Sequence, residues 1–213
     1  QPCEKNWLLF EHDGELFAIY QVDPHIILRV DLAGVGPVRC WPVFRTDWDT
    51  TVYTRRYGVL RGGTPPVRVG QHYISIFHSR THAPGTAPAE RAPVMETLKR
   101  LPWLRPFKRW LREWFAPVRY YGGVYAFAAA PPFAPVYLAP RPLLRPELEG
   151  RRQRPTPSHM APRRVVYPCG LVQIDDDRWL VSYGVHDERA VLQVFTRHEI
   201  EGWAGMRPQG ITA

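Results

Sequence analysis

The chain has 213 residues, enough for one domain with its own core, and carries a formal charge of +8, so polyanions are conceivable partners on charge alone. Aromatic residues make up 13%, and 23 Pro with 16 Gly leave little room for long helices, which points to short strands joined by turns. No stretch reaches the ~20 apolar residues of a membrane-crossing helix, and no signal peptide opens the chain.

The chain begins Gln1-Pro2-Cys3-Glu4 and is at once inside a patterned segment, so its natural beginning is expected to lie upstream. Trp7 to Phe10 and Leu16 to Val22 read as two strands, because Asp13-Gly14 between apolar runs is a strong hairpin cue. Ile26 to Val30 follows as a third strand after Asp23-Pro24-His25. Cys40 to Tyr57 is mixed, with Trp41, Phe44, Trp48, Val52 and Tyr53 among charged residues. Next comes a glycine-proline turn, Gly62 to Pro66, leading into Tyr73, Ile74, Ile76 and Phe77 and ending on His78. A strand that delivers one imidazole beside Arg61 would wall a site for an anionic or sugar ligand. The bland alternative is a satisfied histidine at a strand edge.

Residues 80–91 read as a polar linker. Beyond it, Met95, Leu98, Leu101, Leu104, Phe107, Trp110, Leu111 and Trp114 recur at helical spacing among basic residues. Pro102 and Pro106 split this insertion, 93–115, into two short helices. Its stripe is expected to pack on the domain, contact with an anionic membrane surface being the weaker reading. Strands resume at Val118 to Phe127 and Val136 to Leu138. Residues 147–164 read as an exposed loop rich in Pro and Arg. A last unit runs through Val165 to Val172, a turn at Asp175-Asp176-Asp177, Trp179 to Tyr183 and Val191 to Phe195. The three aspartates read as a solvated turn rather than a calcium cluster. Gly205 to Ala213 reads as a frayed end. Cys3, Cys40 and Cys169 are an odd set without a C-x-x-C pair, which argues for reduced, buried thiols in a cytoplasmic chain and against a metal site.

The strand groups add up to about three sheets of three to four strands, spaced like propeller blades, and three blades do not close a ring of the usual ~4–8. The fold class is therefore all-β, a partial β-propeller, taken as one domain over 1–213.

Four segments in order resemble the five-bladed propeller glycosidases and phosphorylases of glycoside hydrolase family 130, which act on β-mannosides. They are Glu4-Lys5-Asn6-Trp7-Leu8-Leu9-Phe10-Glu11, Gly63-Thr64-Pro65-Pro66 with Phe77-His78-Ser79, Tyr167-Pro168-Cys169-Gly170, and Ser182-Tyr183-Gly184-Val185-His186-Asp187. Pro142-Leu143-Leu144 resembles a further family segment. The resemblance implies about three of five blades, and a central funnel binding an oligosaccharide or glycoside, without a metal or organic cofactor. It implies that His78 touches sugar or inorganic phosphate, the phosphate acting as a co-substrate. Asp187 would hydrogen-bond sugar hydroxyls with Tyr183 flanking it, and Glu4, Lys5 and Asn6 would line the funnel from an adjacent blade. The bland reading of Lys5 and Asp187 is exposed charge at a blade edge.

Two departures qualify this. The phosphorylases carry a lysine where this chain has Val59, and Arg61 is the nearby cation, with a planar fork unlike an ammonium. The family's general acid sits in a Glu-Asp-Pro-Arg segment that does not occur here; Asp23-Pro24-His25 is the nearest imitation, on the wrong side of Glu4. An inverting glycosidase needs an acid on the leaving oxygen. The expectation is a carbohydrate-active chain without its acid, with a non-catalytic glycan-binding propeller as the alternative. A nucleic-acid-binding protein ranks last, because no RNA-binding signature accompanies the charge.

Overall fold

The computed structural model describes residues 6–82, 118–150 and 163–206. These residues form an all-β structure with two short helices. The first four strands, β1 (Leu8–His12), β2 (Glu15–Gln21), β3 (His25–Asp31) and β4 (Arg39–Thr46), make an antiparallel meander. The first hairpin turns where Asp13 and Gly14 both take positive φ, 51° and 78°, as a two-residue turn between twisted strands requires. Helix α1 (Thr51–Tyr57) then buries Tyr53 completely.

The rest of the chain builds a second, eight-stranded sheet from two antiparallel groups. One consists of β5 (Val59–Arg61), β6 (Val67–Val69), β7 (His72–His82), β8 (Val118–Ala128) and β9 (Pro135–Leu138). The other consists of β10 (Arg163–Gln173), β11 (Arg178–Val185) and β12 (Arg189–Thr196), followed by helix α2 (Arg197–Trp203). A short parallel pairing joins them, Val118, Arg119 and Tyr120 of β8 lying beside Arg163, Arg164 and Val165 of β10. Three antiparallel groups are thus present, but as two open sheets rather than three separate ones.

The middle group explains the shape of the core. Successive residues of a strand point to opposite faces, and both faces of β7 and β8 are buried. Tyr73, Phe77, Tyr125 and Phe127 pack against Leu8, Phe10, Phe17 and Ile27 of the meander. On the other face Ile74, Ile76, Val124 and Ala126 pack against Val166, Trp179, Val181 and Val185 of the last group and Ile200 of α2. Strands buried on both faces read as continuous apolar runs, which is how Tyr73 to Phe77 stands in the sequence.

Several local expectations change. The polar linker does not begin at residue 80, because Arg80 to His82 continue β7 in register with β8. The loop 147–164 is not wholly exposed: Glu149 is half-buried, and Arg163 and Arg164 already belong to β10. The thiols are not all buried, since Cys169 is exposed and Cys40 half-buried. Gly205 and Met206 are not frayed, their amides donating to the carbonyls of Gly202 (3.2 Å) and Glu201 (2.9 Å). The insertion 93–115, Cys3 and residues 207–213 lie outside the described residues. No helix among the described residues is long and apolar enough to cross a membrane.

Candidate functional site

The buried face of β7 and β8 changes character along its length. Where it holds Ile74 and Ile76 it is apolar; two residues further on it holds the buried His78, and four further on it emerges at the exposed Arg80. The ladder sets their neighbours. His78 stands opposite Arg61 of β5 and Gly122 of β8, and Arg80 stands opposite Tyr120 of β8. Tyr120 in turn lies beside Val165 of β10. Gly122 contributes no side chain to the row, and a Cβ there would lie 3.0 Å from Leu144.

These rows wall a cavity of about 290 Å³ lined by Asn6, Arg61, His78, Arg80, Tyr120, Val165, Tyr167 and Asp187. His78 is buried and its Nδ1 donates to the Gly62 carbonyl at 2.6 Å, since a carbonyl only accepts. Its ring lies against Tyr167 (centroids 4.7 Å) and parallel to Tyr120 (6.0 Å, 14°). The Arg80 guanidinium stands 6.0 Å from the centre of the Tyr120 ring. Across the cavity, the Tyr167 hydroxyl donates to Asn6 Oδ1 at 2.9 Å, tying the segment before β1 to β10. Burial, helped by Cys169 and Tyr120 nearby, pushes the Tyr167 hydroxyl above its ordinary range, so it stays a donor. With its oxygen so used, Asn6 keeps an amide NH₂ with two hydrogens to give.

Asp187 reaches the cavity by a turn rather than a strand. Val185 to Glu188 form a tight turn closed by Glu188 N–H to Val185 O (3.0 Å), and His186 and Asp187 both have φ of 57°. The lining is mostly polar: two guanidinium groups, one imidazole, one amide, two phenols and one carboxylate. Planar cationic forks suit an oxyanion, and an amide with a carboxylate suits sugar hydroxyls.

Four residues singled out in the sequence therefore meet here: Asn6, Arg61, His78 and Asp187. Tyr183 does not join them. It is 2% exposed inside the core, and its hydroxyl is engaged with Glu149 Oε1 (2.9 Å) and Gln193 Oε1 (2.7 Å). Burial and the Glu149 carboxylate hold that hydroxyl protonated, against the opposing charge of Arg189. The aromatic wall is supplied instead by Tyr120 and Tyr167. Glu4 and Lys5 lie outside the described residues. Asp23, the nearest imitation of an acid motif, accepts from Thr50 Oγ1 at 2.6 Å and is not among the residues lining the cavity. Arg80, Tyr120 and Tyr167 join the site beyond the residues that the sequence motifs indicate. Alternation from His78 along β7 gives Arg80, and Tyr167 opens the Tyr167-Pro168-Cys169-Gly170 segment. Tyr120 is visible only through the register of β7 on β8.

A larger cavity, about 660 Å³, lies at the other end of the same strand face, between the β6–β7 hairpin and α2. Its polar side chains include Arg197 and Glu201, which satisfy each other at 2.6 Å, and apolar Val69, Ala126, Val136 and Met206 fill much of the wall. Volume favours this cavity, which also holds Gln71, His72 and Tyr137; the larger polar share of the lining and the meeting of Asn6, Arg61, His78 and Asp187 favour the smaller one. No group of three or more metal-ligating side chains occurs among the described residues, and Asp175 is held by Arg178 (2.6 Å) and the Asp177 amide (3.0 Å).

Comparison with known proteins places the fold. No family model matches the chain, and no curated protein matches it. Among solved structures, β-1,2-mannobiose phosphorylase from Listeria innocua, in complex with β-1,2-mannobiose, superposes with a TM-score of 0.54 and 17% identity, over 96% of this chain and 48% of that one. A candidate glycosidase from Bacteroides thetaiotaomicron gives 0.56 and 13%, over 92% and 51%. A candidate glycoside hydrolase from Parabacteroides distasonis gives 0.53 and 15%, over 90% and 50%. The chain spans about half the length of each. The resemblance read from the sequence motifs is met by a resemblance of fold, to a mannobiose phosphorylase and two candidate glycosidases.

Proposed function

We propose that the chain is the glycan-binding part of a carbohydrate-active β-propeller, its three antiparallel groups being consecutive blades, and that the cavity at His78 holds a β-mannoside. Asp187 and the Asn6 amide hydrogen-bond the sugar hydroxyls. Arg61 and Arg80, with His78, hold an oxyanion at the far wall, inorganic phosphate being the co-substrate that fits. Tyr120 and Tyr167 supply ring faces for the pyranose. The observation that carries this reading is the meeting of Asn6, Arg61, His78 and Asp187, up to 181 positions apart in the chain, in one polar cavity.

Phosphorolysis by inversion breaks the glycosidic C1–O bond as a phosphate oxygen bonds C1, and a proton must reach the departing oxygen. Asp187 is the only carboxylate among the described residues lining the cavity, and it is assigned to binding hydroxyls. That observation favours a second reading for this chain, glycan binding without turnover.

Titration calorimetry with β-1,2-mannobiose, with and without phosphate, tests both readings. Binding that D187A lowers by about tenfold or more, equivalent to about 1.4 kcal/mol, supports the site. Tighter sugar binding with phosphate, lost in R61A, supports the oxyanion wall. Binding of equal strength in D187A removes the site assignment. Release of mannose 1-phosphate separates phosphorolysis from binding alone.

A further inference from the structure

Most walls of the cavity belong to strands whose ladders fix them, but Asp187 rides on a turn, so its aim depends on what pins that turn. His186, the residue before it, is 4% exposed and bonded at three points. Its backbone N–H donates to the Val165 carbonyl at 2.8 Å. Its ring Nδ1 lies 3.1 Å from the Val165 N–H, and its Nε2 lies 3.1 Å from the Gly150 carbonyl. An amide N–H only donates and a carbonyl only accepts, so the arrangement requires bare Nδ1 and hydrogen on Nε2. The ring is a neutral splint with one acceptor and one donor, each used. Val165 itself lines the cavity, so the splint ties the turn directly to a cavity wall. The neighbouring Arg189 strengthens the same clamp, its Nη2 donating to the Glu149 carbonyl at 2.7 Å.

We propose that His186 is a positioning residue for Asp187: the neutral imidazole holds the left-handed turn against β10 and so presents the carboxylate to the ligand. This rests on the reading of the cavity as a glycan site. The test rests on H186G and H186N, both of which accept φ of 57° more readily than alanine would. H186G removes the ring without backbone strain. H186N places a side-chain oxygen near the position of Nδ1 and restores an acceptor for the Val165 amide.

Calorimetry with β-1,2-mannobiose should find H186N within about threefold of the parent protein and H186G weaker by about tenfold or more. Hydrogen exchange should show the Val165 amide losing protection by about tenfold or more in H186G and keeping it in H186N. If D187A binds like the parent, the reading of the cavity fails. If D187A loses binding while H186G keeps it, the reading stands and the positioning role of His186 is overturned. If the parent binds no mannobiose, the reading of the cavity fails and the positioning proposal is overturned with it; if the parent binds, unchanged protection at Val165 in H186G overturns the proposal, and loss confined to Val165 and the 185–188 turn, with weakened binding, supports it. Should H186G not fold, H186Q carries the same comparison, because its longer side chain carries the amide toward Gly150 and away from the Nδ1 position beside the Val165 N–H.

Discussion

Lowering the pH from about 7.5 to about 5 should remove about 2 kcal/mol of stability through one side chain, His25. It opens β3 at 1% exposure, tilted against Phe127 (5.1 Å) and edge-on to Tyr125 (5.8 Å, 76°). Burial lowers its pKa from 6.5 to about 4, a backbone group of Phe133 opposing the shift. Above pH 6.5 the ring is neutral folded or unfolded, and the fold has its full stability. As pH falls below 6.5 the unfolded chain takes up a proton that the folded chain refuses, so stability declines until about pH 4. At about 1.36 kcal/mol per pH unit the whole interval amounts to about 3 kcal/mol. Urea unfolding followed by tryptophan fluorescence, at several pH values, should show H25L losing this component. Other groups titrate in both proteins, so the difference between the two profiles isolates His25. Parallel profiles between pH 7.5 and 5 would refute the assignment.

Two substitutions around the glycine-proline turn test how the cavity is framed. G62A puts a Cβ 2.2 Å from the Asn6 carbonyl oxygen, so it should cost about 1–3 kcal/mol and weaken mannobiose binding by displacing Asn6 and the carbonyl that holds His78. Unchanged calorimetry in a folded G62A would contradict this. T64V removes the buried Oγ1 that accepts from the Ile76 amide (3.0 Å) and leaves that amide unpaired. Its urea midpoint should fall by the equivalent of about 1–3 kcal/mol, and an unshifted midpoint would show that the amide finds another partner.

Much of the strand order was legible because its signals are local. Asp13-Gly14 marks its hairpin, and the Tyr73 to Phe77 run marks a strand covered on both sides. Helix α2 carries an equally local signal: Thr196 and Glu199 form a reciprocal capping box, Thr196 Oγ1 accepting from the Glu199 amide at 3.2 Å. The site was legible only in part. His78, Arg61, Asn6 and Asp187 stand in turns and motifs, but Tyr120 enters through the pairing of β8 with both β7 and β10. Register between strands so far apart is not written in any window of sequence. Tyr183 misled for the converse reason. Its motif suggested a ligand contact, while the alternation of β11 sends it inward with Trp179, Val181 and Val185.

The position of the cavity follows from a broken rule. A strand face that buries Ile74 and Ile76 would be stabilised by a further apolar residue, yet the next buried position is His78, with the exposed Arg80 beyond it. An imidazole at 3% exposure is costly unless bonded, and here the Gly62 carbonyl and two phenol rings surround it. Gly62 is itself fixed by its close approach to Asn6, and Asn6 by Tyr167. The polar groups thus hold one another in place from three parts of the chain, leaving the guanidinium forks and Asp187 at the cavity. Departures from local preference that are compensated this fully mark functional positions more often than defects of packing. The larger cavity by α2 also gathers polar groups, Gln71, His72, Tyr137, Arg197 and Glu201, but Arg197 and Glu201 are satisfied by each other and none of the motif residues lines it.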